Sequence, residues 1–399
     1  MSSLLDGDQL RLYLPRNLPE GIIQGNGELP ARIAYVGHIL TSRPYDSNRD
    51  FITLNKTLLR EQVSKRACVF AFETFHDLIE TDHHYTPNKR SKGYRWNNTM
   101  NGHGATIHTF NAPRFKAHLR DVRSKARDEY CPIQRSLDED LKGVSLEISN
   151  LPIFIENLPP KSGVKCEQHR RTVIQKSAED VINGNRGLIT RSDKTGRIHC
   201  LPNRLCTYLR SELTLHGSEV VEIDLASSQP YFLATLFHSK PLSEAVSQGE
   251  FYHRINEQLS ESIDFNDKDA YSRMKQDVLS ILYATPHRGF DYTKDPTWRS
   301  YPIAQAMEAA YSGLNDFLAK YRQTHGNKAL PIAMQRMESD VFINGVLVTL
   351  QSLGIPAIPI HDAIMCRTED AREVEQIIYD TLLESTQIEP TLRTSKTSA

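Results

Sequence analysis

Two apolar stretches that each end in an aspartate constrain the fold of this chain most strongly. In the first, residues 219–237, apolar side chains alternate with Glu222 and Asp224, which is the period of a half-buried strand. The run then passes through Ser-Ser-Gln-Pro into an apolar segment with helical character. We therefore predict that Asp224 lies where a strand ends and a helix begins. Taken alone, an aspartate in such a place is more often a turn or helix-capping residue.

The second stretch, residues 357–366, predicts a strand pair with Asp362 at the tip of a hairpin. Strands that are far apart in sequence can pair in one sheet, which would bring Asp362 close to Asp224. Two carboxylates at neighbouring strand ends are the ligands that a two-metal phosphoryl-transfer site needs. Together the two stretches favour a metal-dependent reaction on phosphates over the capping interpretation.

Composition argues against several classes of protein. The charge is balanced, with 48 Lys and Arg against 49 Asp and Glu, so affinity for nucleic acid has to come from local basic patches. The six cysteines are scattered without a CxxC pair, which argues against a disulfide framework and a zinc ribbon. No apolar run approaches the ~18 residues of a membrane span, and residues 1–17 lack the apolar region of a signal peptide. We therefore expect a cytoplasmic protein without a membrane partner.

Residues 51–110 predict a helix, a turn, a second helix over 66–82 and then a basic hairpin. Aromatic residues flank the hairpin turn, which carries four basic residues: Lys89, Arg90, Lys92 and Arg95. This layout resembles a winged-helix DNA-binding domain, which implies that the four basic residues contact DNA phosphates. The alternative is a small helical domain with an ordinary solvated hairpin.

Two further features suggest binding less specifically. Four histidines invite a metal hypothesis, but their spacing matches no common ligand pattern, so we interpret them as surface residues: His83, His84, His103 and His108. Residues 113–130 predict a basic helix, which is either a solvated helix or one that follows a nucleic-acid backbone. Proline and glycine in residues 157–165 predict a loop between the two halves of the chain.

A helix predicted to end before Pro286 places Lys275, Leu279 and Tyr283 on one face, because they are spaced by four residues. A lysine in this pattern usually lies at a solvated edge. Here it is also placed to hold a triphosphate, with the tyrosine ring near a base. Upstream, His253 and Arg254 lie near the start of another helix.

The last part of the chain predicts two helices around the Asp362 hairpin. The first, residues 334–353, carries Gln335 near its start. The second, residues 368–384, is amphipathic, and we expect the polar segment that follows it to be frayed.

The order of these pieces resembles the family A polymerases, the group that contains bacterial DNA polymerase I and the single-subunit phage RNA polymerases. The resemblance covers about residues 185–385 and rests on six short motifs in the family's order. They are Thr195-Gly196-Arg197, the run DLASSQPYFLA that starts at Asp224, His253 with Arg254, Lys275 with Tyr283, Gln335 with Asp340, and His361 with Asp362.

The resemblance implies a role for each matched residue. Asp224 and Asp362 would be the catalytic carboxylates and would hold two Mg²⁺ ions, with Mn²⁺ as an alternative. The residues implied in nucleotide binding are Lys275, Tyr283, Gln229, His253 and Arg254. Those implied in primer or template binding are Arg197, Gln335 and His361.

The chain also departs from the family. Gln229 stands where the DNA enzymes usually have a glutamate that obstructs a ribose 2′-hydroxyl, but glutamine keeps the size and can hydrogen-bond Tyr283, which implies a preference for deoxynucleotides. Ala363 stands where a glutamate commonly follows the second aspartate. Tyr271 stands where an arginine precedes the helix lysine, and Ala284 where glycine follows the tyrosine. No paired-acidic exonuclease region precedes the palm, so we expect no proofreading.

The implied fold class is α+β, a right-hand polymerase with an antiparallel palm sheet and helical fingers, preceded by a winged-helix-like domain. The predicted domains are the winged-helix-like domain 1–110, a helical linker or thumb-like region 111–185, a first palm part 186–250, fingers 251–330 and a second palm part with the tail 331–399. The implied function is DNA-directed DNA polymerisation from a DNA template and primer and nucleoside triphosphates, in the replication of a phage, plasmid or other small replicon. The alternatives are an RNA polymerase or primase on the same scaffold and a non-catalytic replication initiator.

Overall fold

The computed structural model describes residues 9–45, 51–82, 91–161, 164, 166–283 and 295–396. Contacts divide the chain into two units, residues 1–188 with 200–217 and residues 189–199 with 218–398. Both units mix helices with antiparallel strand pairs, as the predicted α+β class requires. Of the helices in the described ranges, none has the length and apolar character needed to cross a bilayer.

The strands are short, and most are two to six residues long. In chain order they are β1 Leu10–Pro15, β2 Ile52–Thr53, β3 Ile79–Thr81, β4 Gly93–Trp96, β5 Ala105–Phe110, β6 Val144–Leu146, β7 Thr190–Arg191, β8 Ile198–His199, β9 Leu213–Leu215, β10 Ser218–Leu225, β11 Ala357–Ile360, β12 Ala363–Arg367 and β13 Leu392–Lys396.

Helices account for most of the remaining regular structure. In chain order they are α1 Glu28–Ser42, α2 Lys56–Val63, α3 Lys65–Thr74, α4 Pro113–Asp128, α5 Pro132–Asp140, α6 Leu151–Glu156, α7 Glu167–Ile182, α8 Leu201–Arg204, α9 Thr207–Arg210, α10 Ser228–Phe237, α11 Lys240–Ser247, α12 Phe251–Asn256, α13 Lys268–Tyr283, α14 Tyr301–Ala310, α15 Leu314–His325, α16 Ala329–Ser339, α17 Val348–Leu353 and α18 Ala371–Thr386.

In the first unit, α1 packs against α3 and against β1, which pairs with β5. A three-stranded sheet of order β2-β4-β3 combines β2, which precedes α2, with β3 and β4, which follow α3. Phe75 and Trp96 are both buried and meet edge to face, with ring centroids 5.2 Å apart. The indole of Trp96 also donates to the hydroxyl of Thr41 on α1 at 3.0 Å, so the sheet is tied to the helices by an aromatic pair and a buried hydrogen bond.

Helices α2 and α3 are separated by a single residue. The Asn55 side chain caps α2 by accepting from the backbone N–H groups of Thr57 and Leu58. Ser64 has a positive φ of 79°, which ends α2, and its hydroxyl caps α3 by accepting from Ala67 at 3.3 Å. The sharp turn is therefore built from Ser64 alone, which ends α2 and caps α3.

The predicted helix over 66–82 is too long. Helix α3 ends at Thr74, and Ile79–Thr81 forms strand β3, which pairs with β4. The error has a physical cause. Phe75 and Ile79 are spaced by four residues and so resemble the apolar face of a helix, but the backbone of residues 79–81 forms its hydrogen bonds with β4.

Two buried histidines of the first unit each have a hydrogen-bond partner. His38 is buried and accepts the Tyr13 backbone N–H at Nδ1, 3.1 Å away, and burial lowers the pKa of its imidazole well below the usual range. His169 stacks on Tyr45 with ring centroids 4.0 Å apart, and its Nε2 lies 2.9 Å from the carbonyl of Arg43. Burial lowers the pKa of His169 to about 4, so both imidazoles are neutral at pH 7.

The second unit is organised on a sheet in which β12 pairs with β11 and β10, and β10 pairs with β13. All of these pairs are antiparallel, and the strand centres are apolar and buried, for example Ile223, Ile358 and Met365. Strand β13 overturns the expectation of a frayed tail. Its sequence has no apolar alternation to reveal it, and it is held by backbone pairing with β10.

A long helical segment follows α15, and it differs from the predicted helix over 334–353. It begins earlier, as α16 at Ala329, and residues Asp340–Leu347 form a π-helical stretch before α17. π-helical turns are rare and frequently occur near functional sites. Here the stretch begins two residues after Glu338 of α16, which hydrogen-bonds Ser228 and Gln229 at the start of α10.

Candidate active site

Asp224 and Asp362 lie at adjoining strand ends in the second unit. Asp224 is in register with Ala363, the residue after Asp362, and the Leu225 N–H donates to the Asp362 carbonyl at 3.2 Å. The predicted hairpin is present, with Ile360 opposite Ala363 and a two-residue turn between them. His361 in that turn has a positive φ of 58°, the geometry that a tight hairpin requires. The two aspartates are therefore brought together although they are far apart in sequence.

The carboxylates are held in an environment that opposes their charge. Burial raises the pKa of Asp362 to about 6, and the carboxylates of Glu338 and Asp224 add to that shift. Burial also raises the pKa of Asp224, with Glu222 adding to the effect and Arg393 and Lys275 opposing it. A nearby cation would lower the pKa of both carboxyl groups again, since opposite charge favours the ionised form.

The donor atoms fit a hard divalent cation. In the part of the chain that the structure describes, no cluster of three or more His, Cys, Asp or Glu side chains is placed to hold a metal by itself. Asp224 and Asp362 supply two carboxylates. Mg²⁺ is commonly bound through one or two carboxylates, with waters and substrate phosphates as its other ligands, so two carboxylates would be enough for such a site.

Glu338 is a site residue that the sequence analysis did not identify. Its side chain is 1% exposed and accepts from Nε and one terminal nitrogen of Arg197, at 2.7 and 2.8 Å. It also accepts from the Ser228 hydroxyl at 3.3 Å and from Gln229 Nε2 at 2.8 Å. The sequence contains a sign of this role. Glu338 follows Leu330 and Met334 at intervals of four, so it is an acidic residue on the buried apolar face of α16.

Gln229 connects this buried carboxylate to the end of α13. While its amide nitrogen donates to Glu338, its Oε1 accepts from the Tyr283 hydroxyl at 2.8 Å. Gln335 also hydrogen-bonds the Tyr283 hydroxyl. The hydrogen bond between residues 229 and 283 that the sequence predicts is thus present, and Gln229 is fixed at both ends of its amide.

The same contacts explain why residue 229 is glutamine. A glutamate there would place a second carboxylate within hydrogen-bond distance of Glu338, whose charge is already matched to Arg197. Like charges at that separation are strongly unfavourable in a partly buried site. The amide keeps the bridge to Tyr283 and adds a donor for Glu338.

Lys275 lies on α13 against two aromatic rings. Its ammonium group is 4.2 Å from the ring centroid of Tyr271 and 5.5 Å from that of Tyr252. Burial and Arg393 lower the pKa of Lys275, and Asp224 opposes this shift. The lysine therefore sits within electrostatic reach of Asp224, as a cation beside the carboxylate pair.

The remaining candidates in the second unit differ in placement. His253 is exposed and packs on Phe265, which in turn packs on Tyr271. Arg254 pairs with Glu250 and donates to Gln248, so its guanidinium is engaged within its own helical region. Its contact with a triphosphate stays a prediction. His361 is exposed and meets His199 edge to face at 5.9 Å, on the same turn as Asp362.

Arg197 is paired as well. Both nitrogens that face Glu338 are engaged, and the side chain is 23% exposed. Its predicted contact with a primer stays a prediction, whereas its contact with Glu338 orients the Gln229 bridge.

The basic hairpin of the first unit is described in part. Lys89 and Arg90 lie outside the described residues, and Lys92 is exposed. Arg95 donates twice to Glu80 and lies over the Phe51 ring, with its guanidinium carbon 4.6 Å from the centroid. The charge of Arg95 is thus matched within the sheet, and its contact with DNA phosphates stays a prediction.

No protein-family model matches this chain, and no curated protein sequence matches it significantly. Among solved structures, the chain is similar to the POL domain of Pol1 from M. smegmatis, solved in complex with DNA primer-template and dNTP. The sequence identity is 15% and the TM-score 0.42, over 70% of this chain and 64% of that chain, so less than two thirds of that chain is covered.

Proposed function

We propose that the protein is a template-directed nucleotidyltransferase whose second unit adds nucleotides to a primed DNA strand. The observation that carries the proposal is the pairing of Asp224 and Asp362 at adjoining strand ends, with the Lys275 ammonium group near Asp224. Two carboxylates and an adjacent lysine are what a phosphoryl-transfer site requires, since catalysis there depends on positioning and charge neutralisation.

Asp224 and Asp362 would hold Mg²⁺, with Mn²⁺ as a substitute. When bound, the metal would activate the primer hydroxyl and neutralise the charge that develops on the phosphates. The protein residues have complementary tasks. Lys275 would balance triphosphate charge, and its two aromatic neighbours would keep water away from its ammonium group.

The Gln229 bridge supports a preference for deoxynucleotides. Its amide is held between Tyr283 and Glu338, so it presents a fixed obstacle beside the fingers helix. A ribose 2′-hydroxyl would meet this obstacle, as the resemblance to family A implies. Parallel extension assays with dNTPs and NTPs, with and without a primer, distinguish a DNA polymerase from an RNA polymerase or primase.

The first unit is proposed to bind duplex DNA as a winged-helix domain. The order of its helices, the single-residue turn at Ser64 and the sheet order β2-β4-β3 support this proposal. Lys65 and Arg66 are exposed at the start of α3, the helix that would enter the major groove. Replacing both with glutamine should weaken DNA binding and flatten its salt dependence. Arg95→Gln is the matched control, because Arg95 is already paired.

Primer extension by Asp224→Asn protein tests the proposed reaction. We expect incorporation to fall about 10³-fold or more, because groups that stabilise charge in active sites are each worth ~10²–10³ in rate. Affinity for primed DNA, measured by fluorescence anisotropy, should stay near the wild-type value. Glu219→Gln, on the same strand and exposed, is the control that should extend normally. If wild-type protein incorporates neither dNTPs nor NTPs with Mg²⁺ or Mn²⁺, the proposal is wrong and a DNA-binding protein remains.

A further inference from the structure

Strand β13 brings an arginine to the edge of the carboxylate pair. Arg393 is in register with Asp224 across the β10–β13 pair, on the opposite side of β10 from Ala363. Directly opposed residues of an antiparallel pair project from the same face of the sheet, with Cβ atoms about 4.5–5.5 Å apart. Arg393 therefore projects on the face that carries the Asp224 carboxylate.

Arg393 acts electrostatically on the site. It lowers the pKa of Asp224 and of Lys275, so its guanidinium is close to both groups. It is exposed, and in the described parts of the chain its side chain makes no hydrogen bond or ion pair. By contrast, the guanidinium groups of Arg197 and Arg254 are matched to carboxylates. Arg393 is thus a cation available to a ligand.

The turn of α13 before Lys275 presents an aromatic ring to the lysine. One turn before Lys275, α13 carries Tyr271, whose ring lies against the lysine ammonium group. Tyr271 is also close to Arg393, which acts to lower its pKa. The arginine from the sheet thus approaches the helix at the turn where the helix itself offers an aromatic ring.

We propose that Arg393 binds the triphosphate of the incoming nucleotide together with Lys275, a role supplied here from the sheet rather than from the fingers helix. The inference rests on the proposed function. A guanidinium suits it because its planar fork can donate two parallel hydrogen bonds to phosphate oxygens. Lys275 would supply a compact second charge on the other side of the phosphates.

Steady-state incorporation by Arg393→Gln and Arg393→Lys proteins tests the proposal. We expect Gln to raise the KM for dNTP about 10- to 100-fold, the range for losing a hydrogen bond to a charged group, with a smaller change in kcat. Lysine should restore part of the loss. Arg372→Gln, an exposed arginine on α18, is the matched control and should leave KM unchanged.

Calorimetric titration with inorganic tripolyphosphate and Mg²⁺ provides a readout that does not depend on turnover. Arg393→Gln should weaken this binding by a similar factor and leave affinity for primed DNA unchanged. Loss of affinity for primed DNA with unchanged tripolyphosphate binding would assign Arg393 to a primer or template phosphate and overturn the proposal, as would an active Arg393→Gln enzyme with wild-type KM. An inactive wild-type protein that still binds tripolyphosphate through Arg393 would instead overturn the proposed function and leave phosphate binding intact.

Discussion

The buried histidines of the first unit and the half-buried aspartates of the second respond to burial in different ways. In the first unit, His38 and His169 are buried as neutral rings, each with a hydrogen-bond partner. In the second, Asp224 and Asp362 adjoin each other and Glu338, and burial raises the pKa of both aspartates. The first arrangement stabilises the fold, whereas the second opposes folding as long as both carboxylates are ionised. The contrast supports the proposal that the two aspartates serve chemistry rather than structure.

The largest effect should come from Asp362→Asn. We expect incorporation to fall about 10³-fold or more, while the free energy of unfolding of the second unit at pH 7.5 rises by about 1–2 kcal/mol. The gain follows because a negative charge beside Glu338 and Asp224 is removed. Calorimetry and primer extension measure the two quantities.

Glu219→Gln is the control for this test, because it removes an exposed carboxylate from the same sheet and should change neither quantity. A loss of stability in Asp362→Asn protein would mean that Asp362 is structural and would remove the contrast between the units.

Acid should destabilise the first unit through its histidines. The pKa of His169 in the folded state is about 4, below the usual value of 6.5. The unfolded state therefore binds more protons, so the stability from the neutral ring is complete above pH 6.5 and is lost as the pH falls towards 4. The difference of about 2.5 pKa units corresponds to about 3 kcal/mol.

The measurement can be confined to one unit. The chain has two tryptophans, Trp96 in the first unit and Trp298 in the second, so Trp298→Phe leaves a fluorescence signal from the first unit alone. In that background, His169→Gln should reduce the stability difference between pH 7.5 and pH 4. An unchanged difference would show that His169 does not carry the acid sensitivity.

Gln229→Glu should have a smaller effect, located in the second unit. It places a carboxylate beside Glu338 and should lower stability by about 2 kcal/mol, because like charges are brought together in a partly buried site. In the double variant Gln229→Glu with Glu338→Gln, an amide again faces a carboxylate. This variant should recover about half of the lost stability. Urea unfolding of the two single variants and the double variant measures the coupling. Additive losses would show that the two side chains do not interact.

Tyr283→Phe should have the smallest effect. It removes a hydroxyl that bonds Gln229 and Gln335 but keeps the ring, so we expect a loss of about 1 kcal/mol and a rise of about 5-fold in the KM for dNTP. A variant with the wild-type KM would show that the hydroxyl does not position the nucleotide site.

Patterns of apolar alternation predicted the parts of the site that lie on buried strands. The strand that ends at Asp224 and the hairpin at Asp362 follow from alternation and turn residues, and both are present. Their convergence does not follow from alternation alone, because the described residues form several separate sheets and only the tertiary fold pairs β10 with β12.

Features that depend on tertiary contacts could not be predicted in this way. Strand β13 is polar, so its pairing with β10 depends on backbone hydrogen bonds that no side-chain pattern reports. The pairing of Arg95 with Glu80 and of Arg254 with Glu250 was missed for a related reason, since a basic residue in sequence does not reveal whether its charge is already matched. Glu338 was overlooked although its place on the buried stripe of α16 marks it as paired or functional.

The most direct test of the central claim is the number of Mn²⁺ ions retained by the protein with primed DNA and a non-hydrolysable dNTP, measured by electron paramagnetic resonance. We predict two ions per chain in the wild type and fewer in both Asp224→Asn and Asp362→Asn proteins. Two ions retained in both variants would show that the adjoining aspartates do not form the metal site.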